Sequence, residues 1–262
     1  MKVTLADIEV EYTVHGEGYP VVFIHGLAED HRSWKHVQSS LIGFKTYAYT
    51  LRGHGGSSAG KGKGSLEQLG QDLINFLETV TGPAQCVGYS LGGTIVLWAA
   101  AERKDLVLHA VVAGTSTIVG KQAADYFLNR IQAIRSDFQH FSKLLTDDTK
   151  SQIISPAVNP DEVAARRLEA IGDGIGYINA ANAMRGMRET PLTDRLADIV
   201  CPVDIIGGDS DLFCPRKAAE IMMAQLPQSR YHEIQSAGHL LSLDQPKAYA
   251  EQIQNALEKI GK

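Results

Sequence analysis

The sequence lacks the features that mark membrane, secreted or nucleic-acid-binding proteins. None of its apolar runs approaches the length of a membrane span. Acidic residues stand near the N-terminus, where a signal peptide needs an apolar stretch. With a formal net charge of −5, the chain has no overall positive charge to attract a polyanion such as a nucleic acid. We therefore expect neither a membrane nor a nucleic acid among the partners of this chain.

Cysteine is also scarce, and nothing pairs the three residues that occur. Cys86, Cys201 and Cys214 are scattered without a CxxC spacing, which predicts reduced thiols in a cytoplasmic protein. His31 and His36 stand five apart with no carboxylate at catalytic spacing, and there is no HExxH, so we expect no metal. No GxGxxG follows the first strand, and therefore no cofactor is expected.

What the chain does contain is typical of one large α/β domain, or of a core with a small lid. Hydrophobic residues make up 44% and charged residues 21% of its 262 residues. Apolar and β-branched runs alternate with segments of helical periodicity, which predicts a parallel sheet covered by helices on both faces. Strands are predicted over 3–6, 8–15, 19–24, 46–51, 84–87, 106–113, 202–207 and 231–234.

The alternation stops between residues 115 and 191. Apolar residues spaced three and four apart over 127–145 predict one amphipathic helix. Asn159 predicts the start of another helix, because Pro160 and Glu162 follow at its first and third positions. We interpret 115–191 as a helical lid over the carboxyl edge of the sheet, inserted into a core formed by 1–114 and 192–262. Helices packed on the back of the sheet are the alternative.

One short turn carries the strongest functional signal. Residues 88–92 read G-Y-S-L-G between a predicted strand and a predicted helix, which is the context that gives the G-x-S-x-G motif its meaning. The flanking positions must be small, since a Cβ there would strike the neighbouring element. Such a turn holds its serine in a strained conformation with the hydroxyl exposed. Ser90 is therefore the predicted nucleophile, and a simple glycine-rich turn is the alternative.

A serine hydroxyl needs a base, and the base needs an orienting acid. His239 follows the last predicted strand after small residues, and it is the predicted base. Asp211 follows the preceding strand and is the predicted acid, with Asp209 as the alternative. His232 lies inside a strand, and we interpret it as a packing residue.

The tetrahedral intermediate of such a reaction needs backbone amides aimed at its oxygen. We expect one from Leu91, at the start of the helix after Ser90, and one from Leu27, in the loop after the third strand. His25 precedes that loop, and we prefer for it a structural role, tying loops together, to a role in proton transfer. The candidate substrate-pocket residues are His25, Tyr89, Phe127, Ile131, Phe138, Tyr177 and Met184.

Five motifs in order along nearly the whole chain closely resemble the α/β-hydrolase superfamily. They are His25-Gly26, Arg52-Gly53-His54-Gly55-x-Ser57, Gly88-Tyr89-Ser90-Leu91-Gly92-Gly93, Gly208-x-x-Asp211 and Gly238-His239. The sequence looks most like the small bacterial branch that holds 3-oxoadipate enol-lactone hydrolases, esterases and carbon–carbon bond hydrolases. The resemblance implies the α/β-hydrolase fold, with a mostly parallel eight-stranded sheet, helices on both faces and a small helical lid. It also implies a Ser-His-Asp triad.

The expected activity is hydrolysis of a small-molecule ester or lactone through an acyl-enzyme. Two alternatives stay open. The same triad could cleave a carbon–carbon bond in a dienol carboxylate, with Arg185 or Arg188 binding the carboxylate. The chain could instead be a ligand-binding signalling protein that retains the triad. The oligomeric state is left open by the sequence.

Overall fold

Eight strands form one sheet in a computed structural model that describes residues 1–259. They are β1 (Lys2–Leu5), β2 (Ile8–His15), β3 (Tyr19–Ile24), β4 (Phe44–Tyr49), β5 (Ala84–Tyr89), β6 (Val107–Ala113), β7 (Val203–Gly208) and β8 (Arg230–Ile234). Their order across the sheet is β1-β2-β4-β3-β5-β6-β7-β8. Strand β2 pairs antiparallel with β1 and β4, and the other neighbours are parallel. The predicted sheet is confirmed.

Helices cover both faces of this sheet. They are α1 (Lys35–Ser40), α2 (Leu66–Phe76), α3 (Leu91–Glu102), α4 (Lys121–Ser136), α5 (Phe138–Gln152), α6 (Pro160–Ile171), α7 (Ile175–Gly186), α8 (Arg216–Gln225), α9 (Leu241–Asp244) and α10 (Pro246–Glu258). Short 3₁₀ segments cover His31–Trp34 and Leu192–Asp198, and a π turn, Leu77–Thr81, extends α2. No described helix is both long and apolar enough to cross a membrane.

Alternate residues of β3 feed two separate cores, because successive side chains of a strand point to opposite faces. Val22 and Ile24 pack with the apolar sides of α2, α3 and α8. Val21 and Phe23 pack on the other face with α1 and α10. Burial on both faces explains why the central strands read as continuous apolar runs in the sequence.

The four helices α4–α7, which we call the insertion, connect β6 to β7. Their own apolar core contains Ile131, Phe141 and Tyr177. Phe127 and Tyr177 also line a cavity that contains Ser90, which follows the carboxyl end of β5. Through these two residues the insertion faces the carboxyl end of β5, and its role as a lid over that edge of the sheet stays a prediction. Its separation from the core at residues 115 and 191 stays a prediction.

The single helix predicted over 127–145 is wrong, because the chain breaks at Asp137. This residue has extended backbone (φ −157°), and its side chain accepts hydrogen bonds from the amides of Gln139 and His140 at 2.9 and 3.1 Å. An aspartate in that position caps a new helix, so α5 starts where the apolar spacing alone continues unbroken.

The sequence from Asp244 to Ile260 predicts a closing helix, and there the chain forms α10, which begins at Pro246 after the short α9. Proline is favoured in a first helical turn because it has no amide hydrogen to satisfy there. The predicted end at Ile260 lies outside the described residues.

Candidate active site

The turn between β5 and α3 holds Ser90 in an unusual backbone conformation, with φ at +53°. A Cβ at Gly88 would collide with the carbonyl of Gly92, and a Cβ at Gly92 would collide with the carbonyl of Ile24. Only glycine fits these two positions. The surrounding elements therefore hold Ser90 in the left-handed region, a conformation that costs about 1–3 kcal/mol and is found mainly at functional sites.

Three side chains from the carboxyl ends of β5, β7 and β8 form one hydrogen-bonded series. His239 Nε2 lies 3.1 Å from Ser90 Oγ, and His239 Nδ1 lies 2.9 Å from Asp211 Oδ2. With the proton on Nδ1, the imidazole donates to the carboxylate and accepts from the serine hydroxyl. The structure thus brings Ser90, His239 and Asp211 together in the order that proton transfer from a serine requires.

The second oxygen of Asp211 is held by the backbone. Asp211 Oδ1 accepts the amides of Phe213 and Cys214 at 2.8 and 2.9 Å. Burial by itself would raise the pKa of Asp211, but the charge of the His239 imidazole, its hydrogen bond and these two amides lower that pKa below its usual value. The carboxylate therefore stays ionised beside the imidazole.

Asp209, the alternative acid, lies on the surface and faces another way. Its Oδ1 accepts the amide of Ala237 at 3.2 Å and the hydroxyl of Ser210 at 3.0 Å. The bond to Ala237 holds the end of β7 against the loop after β8, and the bond to Ser210 lies within the loop after β7. The geometry favours Asp211 over Asp209 as the partner of the imidazole.

The loop that carries His239 is held in place by contacts with Tyr89 and Phe213. The Tyr89 hydroxyl donates to the His239 carbonyl at 3.0 Å, and the rings of Tyr89 and Phe213 each lie 5.3 Å from the imidazole.

Cys214 lies close to Asp211 and His239, and all three side chains carry an atom of a kind that can bind a metal ion. Among residues 1–259, its sulfur and the ligand atoms of Asp211 and His239 lie within 4.8 Å of one another. Burial raises the pKa of the Cys214 thiol.

The amides of Leu27 and Leu91 have no acceptor within residues 1–259. Leu91 is the first residue of α3, where helix amides lack partners in the preceding turn. Leu27 lies in the loop after β3, next to Ala28, whose φ is +61°. Both residues line the cavity with Ser90. The two amides can therefore serve as donors to an oxygen that develops negative charge beside Ser90.

His25 is fully buried and does not line the cavity, so its candidate place in the pocket needs correction. Its Nδ1 donates to the Gly26 carbonyl at 2.8 Å, and its Nε2 accepts the amide of Leu51 at 2.9 Å. Burial and the neighbouring His54 lower the pKa of His25 to about 3, so the ring is neutral. It joins the loops after β3 and β4, as its preferred structural interpretation requires.

A cavity of about 410 Å³ opens above Ser90. Tyr89, Phe127, Tyr177 and Met184 line it, as the sequence predicts. Two other candidates do not. Ile131 points into the core of the insertion, and Phe138 is 38% exposed on the far side of the break at Asp137. Their helical spacing indicated a shared apolar face, but it does not say what that face contacts.

Sequence reasoning missed Arg167, the charged residue of α6 that lines the cavity. Arg185 and Arg188, which the sequence offered for binding a carboxylate, do not line it. Arg185 bonds Asn182 within its own helix, and Arg188 contacts Glu189. His232, expected to be a packing residue, is partly exposed and hydrogen-bonds Asp204 at 2.8 Å. No signal in the sequence distinguishes Arg167 from its neighbours, because burial depends on how α6 docks.

Comparison with known proteins gives a consistent result. A family model described as alpha/beta hydrolase fold matches residues 19–246. The 3-oxoadipate enol-lactonase 1 of Acinetobacter baylyi is 26% identical over 239 residues, covering 88% of this chain and 85% of that protein. The enol-lactonase structure from Burkholderia xenovorans LB400 superimposes with a TM-score of 0.87 at 22% identity, covering 98% of this chain and 100% of that one. A thermophilic esterase from Thermogutta terrifontis gives a TM-score of 0.86 at 24% identity, with both chains covered completely.

Proposed function

The chain belongs to the α/β-hydrolase family, and on that premise we propose that it is a serine hydrolase that cleaves a small carboxylic ester or lactone through an acyl-enzyme. One observation carries the proposal. Ser90 Oγ, the imidazole of His239 and the carboxylate of Asp211 are joined by hydrogen bonds of 3.1 and 2.9 Å at the base of a cavity. A serine in this arrangement is an activated nucleophile.

In the proposed reaction, Ser90 Oγ attacks the substrate carbonyl while His239 Nε2 takes the hydroxyl proton. The amides of Leu27 and Leu91 donate to the resulting oxyanion. When the carbonyl re-forms, the carbon–oxygen bond to the leaving group breaks, and His239 returns its proton to that oxygen. A water molecule then repeats the attack on the acyl-enzyme with His239 as base, releasing the acid and restoring Ser90. Asp211 stabilises the imidazolium in both halves.

The shape of the cavity and the relatives of the chain support an ester or lactone as the substrate. The cavity of about 410 Å³ fits a small molecule, and apolar side chains from both the core and the insertion line it. The relative from Acinetobacter baylyi acts, by its name, on an enol-lactone. Arg185 and Arg188, which the sequence offered for binding the carboxylate in carbon–carbon bond cleavage, do not line the cavity.

The proposal is tested with methyl and aryl esters of short acids and with five- and six-membered lactones. We expect sustained turnover by the wild type and a loss of roughly 10,000-fold or more in kcat for Ser90→Ala. Ser116→Ala is the matched control, because Ser116 lines the same cavity and bonds only within its own loop through Oγ. A serine-directed phosphonate should label Ser90 once per chain.

Two outcomes would contradict the proposal. Full esterase activity in Ser90→Ala would remove Ser90 from the chemistry. Phosphonate labelling without sustained hydrolysis of any ester or lactone would instead favour a protein that binds its ligand without turning it over.

A further inference from the structure

Arg167 is a buried cation in the wall of the active-site cavity. It belongs to α6, is only 9% exposed, and lines the same cavity as Ser90 and His239. An arginine side chain keeps its positive charge at every pH at which proteins are folded. A charge in such a place needs a partner, because burial removes the water that would otherwise solvate it.

The hydrogen-bond partners of Arg167 are all neutral. Nη1 donates to Thr149 Oγ1 at 3.0 Å and to Gln152 Oε1 at 2.7 Å, and Nη2 donates to the Leu27 carbonyl at 3.3 Å. Nε is buried and has no acceptor within residues 1–259. No carboxylate of those residues lies within 4.0 Å of the guanidinium. The fork is therefore held in place but not neutralised.

Arg52, the other arginine of the described chain that is buried, differs in this respect. Arg52 binds both oxygens of Asp72 at 2.6 and 2.7 Å. Arg130 binds both oxygens of Asp148 at 2.7 and 2.6 Å. Arg130 is partly exposed and still has such a partner, whereas the buried Arg167 has none, which is the arrangement expected when the counterion arrives with a ligand.

The charge of Arg167 acts on the pKa of the acidic side chain Glu29, but Glu29 is not the counterion of the guanidinium. Its Oε2 accepts the amide of Gly26 at 3.3 Å, and it forms no ion pair with the guanidinium. Burial raises the pKa of Glu29 even though the charge of Arg167 acts in the opposite direction. The positive charge in the cavity wall thus stays without a bound anion from the protein.

The contacts of Arg167 also connect it to the reacting groups. Nη2 donates a hydrogen bond to the carbonyl of Leu27, whose amide is proposed to donate to the oxyanion. The side chain of Gln152 accepts a hydrogen bond from Nη1 of Arg167, and the backbone carbonyl of Gln152 accepts the amide of Leu240, next to His239. The guanidinium is therefore positioned between the loop of Leu27 and the loop of His239, and it lines the cavity that a substrate would occupy.

We propose that Arg167 is the specificity-determining residue of this site and that the substrate is a small ester or lactone carrying a free carboxylate, which the Arg167 guanidinium binds. This inference rests on the proposed hydrolase function and narrows it to anionic substrates. A carboxylate matches the planar fork of arginine and completes its hydrogen bonding in a way that a neutral substituent does not.

The test compares esters that differ only in charge. Monomethyl succinate, glutarate and adipate are paired with the methyl esters of the corresponding monoamides, and methanol release is measured. O-Acetyl glycolate and its amide test a carboxylate on the alcohol side. We expect kcat/KM to favour the anionic member of at least one pair by about 10- to 100-fold. In Arg167→Met the ratio of kcat/KM between the anionic and the neutral member of a pair should fall to about one, because KM rises more for the anionic ester. Arg167→Lys should recover part of the preference.

Arg166→Met is the matched control, because Arg166 precedes Arg167 on α6 but is exposed and outside the cavity. It should keep the wild-type preference. Equal losses for charged and neutral esters in Arg167→Met would assign Arg167 a purely structural role and overturn the proposal. So would a wild type without a preference for either kind of anionic ester.

A binding measurement separates this proposal from the hydrolase function itself. Glutarate and glutaramide are titrated calorimetrically into Ser90→Ala, with and without Arg167→Met. Binding of glutarate that depends on Arg167 supports the anion site even if no ester is turned over. Turnover of neutral esters without such binding refutes the anion site and leaves the hydrolase proposal standing. If Arg167→Met fails to fold, competitive inhibition of the wild type by glutarate but not by glutaramide gives the same decision.

Discussion

Asp209 and Asp211 stand two positions apart in one loop, yet their carboxylates have different partners. Asp211 accepts two backbone amides and the imidazole, whereas Asp209 joins the ends of β7 and β8. The difference arises from the direction of two side chains after the same strand, so it is decided by the contacts of each residue.

Asp211→Asn should lower kcat for ester hydrolysis by roughly 1,000- to 10,000-fold. An asparagine amide can donate to Nδ1 and favour the wrong imidazole tautomer, which leaves Nε2 unable to accept the Ser90 proton. Asp209→Asn is the control and should retain more than about a third of the wild-type kcat. Steady-state kinetics measure both, with thermal melts to show that each variant folds. Equal losses in the two variants would remove the assignment of Asp211.

The turn around Ser90 depends on close packing between β5, α3 and the end of β3. Gly92 lies where the first turn of α3 passes the carbonyl of Ile24, and no side chain fits between them. The strained φ of Ser90 is stable because these three elements leave the chain no other path.

Gly92→Ala should destabilise the protein by about 3 kcal/mol or more, since the new methyl group meets backbone rather than a movable side chain. Gly186→Ala is the matched control. Gly186 is exposed at the end of α7 with open space around it, so alanine there should be neutral or stabilise by about 0.5–1 kcal/mol. Urea denaturation measures both. A Gly92→Ala protein as stable as the wild type would contradict the close approach.

Helices α4 and α5 are fastened to each other beside the cavity. The Arg130 guanidinium and the Tyr126 hydroxyl both donate to Asp148, and Tyr126 lines the cavity. The orientation of Tyr126 therefore depends on an ion pair between two helices of the insertion.

Arg130→Met should raise KM for short esters by about three- to tenfold and leave kcat within about twofold. The reason is that Tyr126 loses its support, while Ser90, Asp211 and His239 follow strands of the sheet and do not contact Arg130. Arg135→Met, an exposed position on the same helix, is the control and should leave KM unchanged. Michaelis parameters check the prediction. A fall in kcat without a change in KM would show that the insertion positions the triad.

Across the whole molecule, Asp204 on β7 joins neighbouring strands. Its buried carboxylate accepts hydrogen bonds from His109 on β6 and from Arg230 and His232 on β8. Burial alone would raise the pKa of Asp204, but the hydrogen bonds of His109, Arg230 and His232 lower it well below the usual value.

Asp204 should therefore make stability depend on pH in the acid range. Because its pKa is lower folded than unfolded, its contribution is complete above the unfolded value of about 3.9 and declines as pH falls toward the folded value. Asp204→Asn should cost roughly 3 kcal/mol near pH 7 and progressively less below about pH 4. Asp105→Asn, at an exposed pair with Arg103, should change stability little at any pH. Denaturant midpoints between pH 7 and 3 measure this. A constant difference between wild type and Asp204→Asn would contradict it.

The sequence alone predicted the order of the strands and most of the candidate reacting groups. Continuous apolar runs mark strands buried on two faces, and the G-x-S-x-G turn constrains its own backbone, so both are local properties of the chain. The positions of His239 and Asp211 after the last two strands followed from the same logic, since parallel strands bring their carboxyl ends to one edge.

Only the tertiary structure decided which side chains of the insertion face the cavity. The spacing over 127–145 gave Phe127, Ile131 and Phe138 one shared face, but the cap at Asp137 divides that face between two helices. Arg167 became a cavity residue because α6 docks against the loop of Leu27, a contact across 140 positions of sequence. Helical periodicity shows that a face is apolar or charged, and only packing shows what the face meets.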